Sequence, residues 1–503
     1  MTVFRTLTTT TAILAGTAAA ADVTAQQVWD NWKGQMEVYG QGFTTSGEAM
    51  EGDTLVVSDV TIEMQDNDAA VLAELGDIEL TENGDGTVSV STEDSYPITV
   101  TVTPPNDDPS TINMTMSQTN MDITVSGDPE AMIYDISAEV YALSIDSLGG
   151  RVAEQAELGE AMFALRDLAG KYSVREEELT HIAYELSAGA LDLDFAFTET
   201  GEDGAFSVNG DLADLSTFAN LVLPQDMDLE AEQPPFNDGL AIDGGYTFGD
   251  ARYDFSFRAD GEAGSGAATV DGGTLAFAMD KDGLSYTGEA QNVEVSVEMP
   301  SQVPFPFEAS LAAYGFDLQM PLSQGDGEPR DARLAFNLTD LQVSEILWNL
   351  GDPQQVLPRE PVSIALAVDA QVTPFFDFLD PEQQQAAVMA EVPGELNGVQ
   401  VTELEIKAAG AEITGDGAFT FDNEDLTTFN GVPRPEGKMS FEINGINSLI
   451  DKLVQMGLIP EEEAMMPRMM MGMFTTPVGD DKLTSTIEVN EQGHVLANGQ
   501  RLR

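Results

Sequence analysis

Apolar and polar residues alternate along most of this chain. Val88/Val90, Ile98/Val100/Val102, Ile112/Met114/Met116 and Met121/Ile123/Val125 keep a period of two. Leu191/Leu193/Phe195/Phe197, Tyr246/Phe248, Tyr253/Phe255/Phe257 and Ile487/Val489 repeat it further on. Thr, Ser, Asp or Glu fill the positions between. That pattern predicts antiparallel strands with one buried and one solvated face. Fifteen Asn-Gly or Asp-Gly dipeptides punctuate the chain, among them Asn83-Gly84, Asp203-Gly204, Asp282-Gly283, Asp416-Gly417 and Asn498-Gly499. Asn and Asp tolerate positive φ and Gly favours it, so these dipeptides predict hairpin turns. The expected fold is mainly β (a β-rich α+β chain). It is a long, curled antiparallel meander sheet with short helices packed on it.

Helical periodicity interrupts the alternation in a few places. Thr24-Ala25-Gln26-Gln27 has capping-box spacing. Val28, Trp29, Trp32, Met36 and Tyr39 follow on one helical face, and Gly40 ends the run. Three stretches read alike, as strand, Asx-type cap, short apolar helix and aliphatic-Pro exit. They are Val208 to Pro224, Phe336 to Pro358 and Phe441 to Pro460. In the last, Ile446, Leu449, Ile450, Leu453 and Val454 mark one face, and Gly457 fits a left-handed C-cap. Pro460 and Glu461-Glu462-Glu463 then start a second helix, giving a helical hairpin over 447–473. Val152 through Leu168 also suggests a helical segment near 150–180. The resulting division is a leader at 1–21, an amphipathic helix at 22–40, β regions at 41–200 and 201–335, and a β region with the hairpin at 336–503.

Composition narrows the chemistry. The 503 residues carry 88 Asp and Glu against 20 Lys and Arg, a formal charge of −68. Nucleic acids and anionic bilayers need a basic patch, so neither is an expected partner. There is no Cys, which removes disulfides, thiolate metal sites and a Cys nucleophile. His181 and His494 are the only histidines, too few for a His-built metal centre, and no cofactor or metal is expected. A 42% apolar share with 24 Phe supplies a core, so the charge reads as a solvated surface rather than disorder.

The first 21 residues read as a secretory signal. Arg5 is the basic start, Ala12-Ile13-Leu14-Ala15 centres a short apolar region, and Ala19-Ala20-Ala21 offers a cleavage site. Cleavage removes Arg5 and no acid, so −68 becomes −69. No stretch reaches the ~18 consecutive apolar residues of a transmembrane helix. A periplasmic location is expected.

Candidate sites are few. Met465, Met466, Met469, Met470, Met471 and Met473, with Phe474, form the densest cluster. The ordinary reading is packing of the second hairpin helix. The alternatives are a pliable surface for acyl chains or a partner, and a thioether site for Cu(I). Trp29 and Trp32 are docking candidates, foremost onto the protein's own core. Asp280 to Gly283 with Glu289 partly matches a calcium loop, but Ala278 occupies the first ligand position and strands flank it, so a β-turn is expected. No carboxylate pair stands out for acid/base catalysis, and no catalytic residue is assigned.

Four stretches carry a resemblance. They are Glu345-Ile346-Leu347-Trp348-Asn349 with Asp352-Pro353 and Leu357-Pro358-Arg359; Asn444 to Leu453; Met456-Gly457-Leu458 with Arg468 to Phe474; and the ending Ile487-Glu488-Val489, Gly493 and Asn498 to Arg501. The chain resembles the exported bacterial proteins grouped as domain of unknown function 2125. It is also similar in general look to larger AsmA-like envelope proteins, whose long curled sheets have apolar inner faces. Neither resemblance carries a catalytic residue. The sequence therefore implies a non-enzymatic exported protein. Its expected role is binding or shielding an apolar or lipid ligand in a β-groove for envelope maintenance. The alternatives are an envelope scaffold that docks a protein partner and a carboxylate hydrolase.

Overall fold

A computed structural model describes residues 22–38, 42–65, 68–104, 108–201, 203–224, 235–303, 305–390 and 392–503. The expected signal at 1–21, Tyr39 and Gly40 lie outside these residues. Among the described residues, the strands join one antiparallel sheet of 27 hydrogen-bonded segments. Six short α-helices accompany it among the described residues: α1 Ala25–Val38, α2 Arg151–Gln155, α3 Glu345–Gly351, α4 Pro381–Met389, α5 Ile446–Gln455 and α6 Glu461–Phe474. Among the described residues, no helix is long and apolar enough to cross a membrane.

The sheet is a meander of long strands. Ala131–Gly150, Ala156–Glu176, Leu179–Glu199 and Ala205–Pro224 each run 20 or 21 residues and pair with their sequence neighbours. Shorter segments are halves of equally long runs. Ala251–Ala259 and Ala241–Phe248 pair with the first and second halves of Ala205–Pro224. Glu262–Val270 and Gly272–Met279 form the next run, and Gly283–Glu298 the one after.

A line of left-handed residues crosses these runs. Asp59, Gly76, Asn120, Asp167, Asp214, Asn292 and Asp340 have φ between 47° and 74°. Gly249-Asp250 and Asp271 separate the half-runs at the same level. Side chains tie neighbours along the line: Asn120 Nδ2 donates to Glu139 (2.7 Å), Asn292 Nδ2 to Asp271 (2.9 Å), and the Asp340 N–H to Ser363 Oγ (3.0 Å). Asx residues adopt this conformation at lower cost than other side chains, and a left-handed residue within a strand bends it. Apolar alternation slips by one residue there, from Leu165 to Leu168, Leu212 to Leu215, Ala290 to Val293 and Leu338 to Leu341.

That slip corrects two expectations. The helix near 150–180 is only α2, and Ala156–Glu176 is a strand. Leu165 to Leu168 has helical spacing only because the strand bends at Asp167. Likewise Ala205–Pro224 is one strand, bent at Asp214, so the first of the three supposed modules has no helix. The other two have α3 and α5. Asp416-Gly417 is a third correction, since it lies inside the strand Ala411–Asp422 rather than in a turn. Asn498-Gly499 does turn, with φ of 50° and 77°.

The densest core is at the N-terminal end. Val28 and Trp29 of α1 pack with Leu55, Val57, Val60, Ile78, Leu80, Val88, Val125 and Met132, all nearly inaccessible. The predicted capping box forms in both directions. Gln27 N–H donates to Thr24 Oγ1 (3.3 Å), and Thr24 N–H donates to Gln27 Oε1 (2.9 Å). Farther along, burial thins. Among the described residues between 189 and 445, Phe236, Leu240 and Leu322 are the only large apolar side chains fully buried.

Candidate functional site

The tryptophan pair points inward. Trp29 is fully buried, with ring contacts to Trp32 (6.3 Å) and Phe43 (5.6 Å). Trp32 Nε1 donates to the Tyr134 hydroxyl (3.2 Å), which donates on to Asn31 Oδ1 (3.2 Å). Burial pushes the Tyr134 phenol up to about 12, and the Trp32 hydrogen bond opposes this. Tyr172 reaches the same helix by donating to Gln35 (3.0 Å). The docking face of α1 is therefore occupied by the chain's own sheet.

The C-terminal sheet carries a different surface. Directly opposed residues of an antiparallel pair share a face. Tyr246, Leu275, Gly288, Phe316, Phe336, Leu366, Leu404, Gly415 and Phe441 stand opposite one another in turn across nine neighbouring strands. A parallel row two residues away runs through Tyr286, Leu318, Leu334, Val368, Val401 and Met439 to Ile487. On the other side, Tyr314, Leu338, Ile364, Ile406, Ile413, Ile443 and Leu483 form a third. At the usual strand spacing, nine strands span roughly 40 Å. Tyr246, Tyr286, Tyr314, Leu334, Ile364 and Ile406 remain 37–52% exposed, so no layer of the described residues closes over them. At one margin Ile242, Met279, Leu284 and Met320 line an open concavity of ≈ 610 Å³ together with the charged Asp243, Asp280, Asp282, Arg330 and Asp331.

Glycines shape this surface. A Cβ on Gly288 would stand 2.6 Å from the Phe316 ring, and one on Gly273 would stand 2.7 Å from that of Phe248. Gly264 and Gly266 lie as close to Phe257 and Phe255. Each ring thus lies over a glycine on the neighbouring strand instead of standing upright. The result is a low, continuous apolar relief. Alternation alone did not reveal it, although the Gly and Phe of facing strands are visible in the sequence once the register is known.

The opposite face is polar. Arg333 Nε donates to Asp317 (2.7 Å) and its Nη1 to Asp369 (2.6 Å), bridging three strands. Glu403, Glu405, Thr414, Asp416 and Glu442 continue that face.

The helical hairpin is anchored by a remote aspartate. Gly445 occupies the N-cap of α5 and has no side chain to offer. Asp481 fills the gap by accepting the Asn447 N–H (3.1 Å), the Ser448 N–H (2.8 Å) and both of their side chains. Burial opposes its charge, but the hydrogen bonds from Ser448 and Asn447 hold its carboxyl below the ordinary value. Arg468 of α6 pairs with Asp451 of α5, and Ser485 and Asn498 both donate to the Phe474 carbonyl.

The methionine cluster sits outward. Met465, Met466, Met469, Met470 and Met473 are 50–67% exposed, while Met471 and Phe474 are half-buried and Ala464 is buried. This corrects the packing expectation. The small Ala464 lets α6 lie close on that side, which directs the thioethers to solvent.

The remaining motif residues hold loops together. Arg359 grips α3 through Glu345 and Asn349, and also donates to the Asp352 carbonyl. The buried Asp352 carboxylate accepts the Val356 and Leu357 N–H groups, which keep it below its usual range. Asp280 accepts from the Asp282 and Gly283 N–H groups in a turn between two strands. His181 lies near the start of the strand Leu179–Glu199, opposite Arg175 and Val222, and His494 follows a turn closed by Asn490.

The Asp280 turn, the Arg359 clamp and the helical hairpin lie within the part of the chain that matches a known family. Residues 255–498 match the family described as "Uncharacterized protein conserved in bacteria (DUF2125)". The matched stretch is the C-terminal half of the chain. It contains most of the apolar rows, the Arg359 clamp and the helical hairpin. No curated protein gives a significant match to the chain.

Proposed function

We propose that this protein is an exported, periplasmic, non-enzymatic carrier or shield for apolar ligands, lipid acyl chains among them, serving envelope maintenance. The observation that carries this reading is the set of apolar rows across nine strands, left 37–52% exposed at six large side chains. Exposed contiguous apolar surface of this extent is uncommon on a soluble monomer and marks a binding surface. The aromatic-over-glycine packing suits a flexible chain, because it gives contact area without deep, shape-specific pockets. The acids on the opposite face and in turns keep such a molecule soluble.

The test is native mass spectrometry of the protein purified under mild conditions from a periplasmic extract. The expected result is co-purified acyl-chain ligand, and re-uptake of a fatty acid after delipidation. Ligand-free protein that also fails to take up fatty acid would overturn the proposal.

A further inference from the structure

The outward methionine face of α6 lies apart from the apolar rows and has its own chemistry. At 100° per residue, Met465, Met466, Met469, Met470 and Met473 fall within an arc of about 140°. Each is at least half exposed, while Ala464 is buried on the opposite side. Leu458, in the turn before α6, is also 63% exposed. Unbranched thioether side chains repack readily around a partner's apolar residues.

The rim of the patch is acidic. Glu461, Glu462 and Glu463 are exposed in the first turn of α6, and Asp451 is exposed on α5. Arg468, the sole cation on α6, is already paired with Asp451. A second copy of a chain with charge −68 is repelled from such a patch, and so is an anionic bilayer. The complementary occupant is apolar on one side and basic at its edges. α6 has 14 residues, about 21 Å at 1.5 Å per residue, the length of a helix seated alongside another. We propose that the α6 methionine face docks a cationic amphipathic helix of a partner protein.

The test uses the full chain without its first 21 residues, labelled with ¹³C-methyl methionine. The probe is an 18-residue Leu/Lys amphipathic peptide, compared with its Leu/Glu counterpart. The Lys peptide should shift the methyl signals of Met465, Met466, Met469, Met470 and Met473 saturably, and the Glu peptide should not. The double variant Met466→Gln, Met469→Gln should weaken binding at least tenfold at 0.3 M salt with unchanged circular dichroism and Tm. The pair Val388→Gln, Met389→Gln on the exposed side of α4 should leave it unchanged. The proposal is overturned if the Lys peptide does not bind, or binds equally well to both double variants. It is also overturned if neutral phosphatidylcholine vesicles move the same methyls, which would indicate a lipid surface. Movement with protein concentration alone would indicate a second copy and overturn it too.

Discussion

Trp29→Ala should loosen the N-terminal end of the sheet. The side chain is fully inaccessible and meets two other rings edge-on, at 6.3 and 5.6 Å. Truncating a buried Trp costs about 3–5 kcal/mol through lost transfer energy and the cavity left behind. Each lost ring pair adds about 0.5–1.5 kcal/mol to what area alone gives. Trp29→Phe keeps one aromatic ring while removing the N–H and part of the ring volume. The indole N–H has no acceptor among the described residues, so its removal leaves nothing unpaired. That variant should lose only about 1–2 kcal/mol. Hydrogen exchange by mass spectrometry is the suitable assay, because a sheet this long need not unfold in one step. Trp29→Ala should raise exchange in α1 and in the strands Thr54–Gln65 and Ala69–Glu82, with no change beyond residue 300. Unchanged exchange in α1 and both strands would refute the inward docking of this helix.

Other consequences concern the C-terminal half. Asp481→Ala removes the cap of α5 and should cost about 0.5–2 kcal/mol, read as faster exchange in α5 and α6; Asp481→Asn should keep part of it. Gly288→Val places a Cβ where the Phe316 ring lies and should cost about 1–3 kcal/mol by overpacking, while Gly288→Val with Phe316→Ala should recover part of that loss in urea denaturation. Asp425 is held at about 2, first by the Thr428 hydroxyl and then by backbone N–H groups. Its folded pKa is depressed, so its stabilisation is complete above about pH 4 and is lost as pH falls through about 2. Amide exchange in the loop at 422–434 should rise across that window and not between pH 5 and 8.

Much of the architecture was legible in the sequence. Period-two alternation named the strands, and Thr24 with Gln27 named the start of α1. The face of α5 was equally clear from Ile446 to Val454. The misread helix near 150–180 and the misread break within Ala205–Pro224 share one cause. A left-handed Asp or Asn inside a strand shifts the apolar register by one, so Leu165 and Leu168 imitate a helix and Leu212 and Leu215 imitate a break. Asp also reads as a cap or turn residue, and only cross-strand pairing distinguishes these uses. The candidate surface was half legible. One-faced strands implied an apolar side, but its openness depends on which large residues find a covering layer, a long-range property. Outward placement of the methionines was hidden for a similar reason. Helical spacing fixes which residues share a face, while Ala464 and the ties from Ser485 and Asn498 to Phe474 decide which face is turned in.

The absence of cysteine makes the central claim directly measurable. Single cysteines can be placed at Leu334, 52% exposed, and Ile406, 41% exposed, on the apolar rows, and at Glu405 on the reverse face, each carrying an environment-sensitive bimane label. On titration with a long-chain fatty acid, the labels at 334 and 406 should shift to the blue saturably, and the label at 405 should not. No shift at 334 and 406, or an equal shift on both faces, would contradict an apolar ligand surface on this sheet.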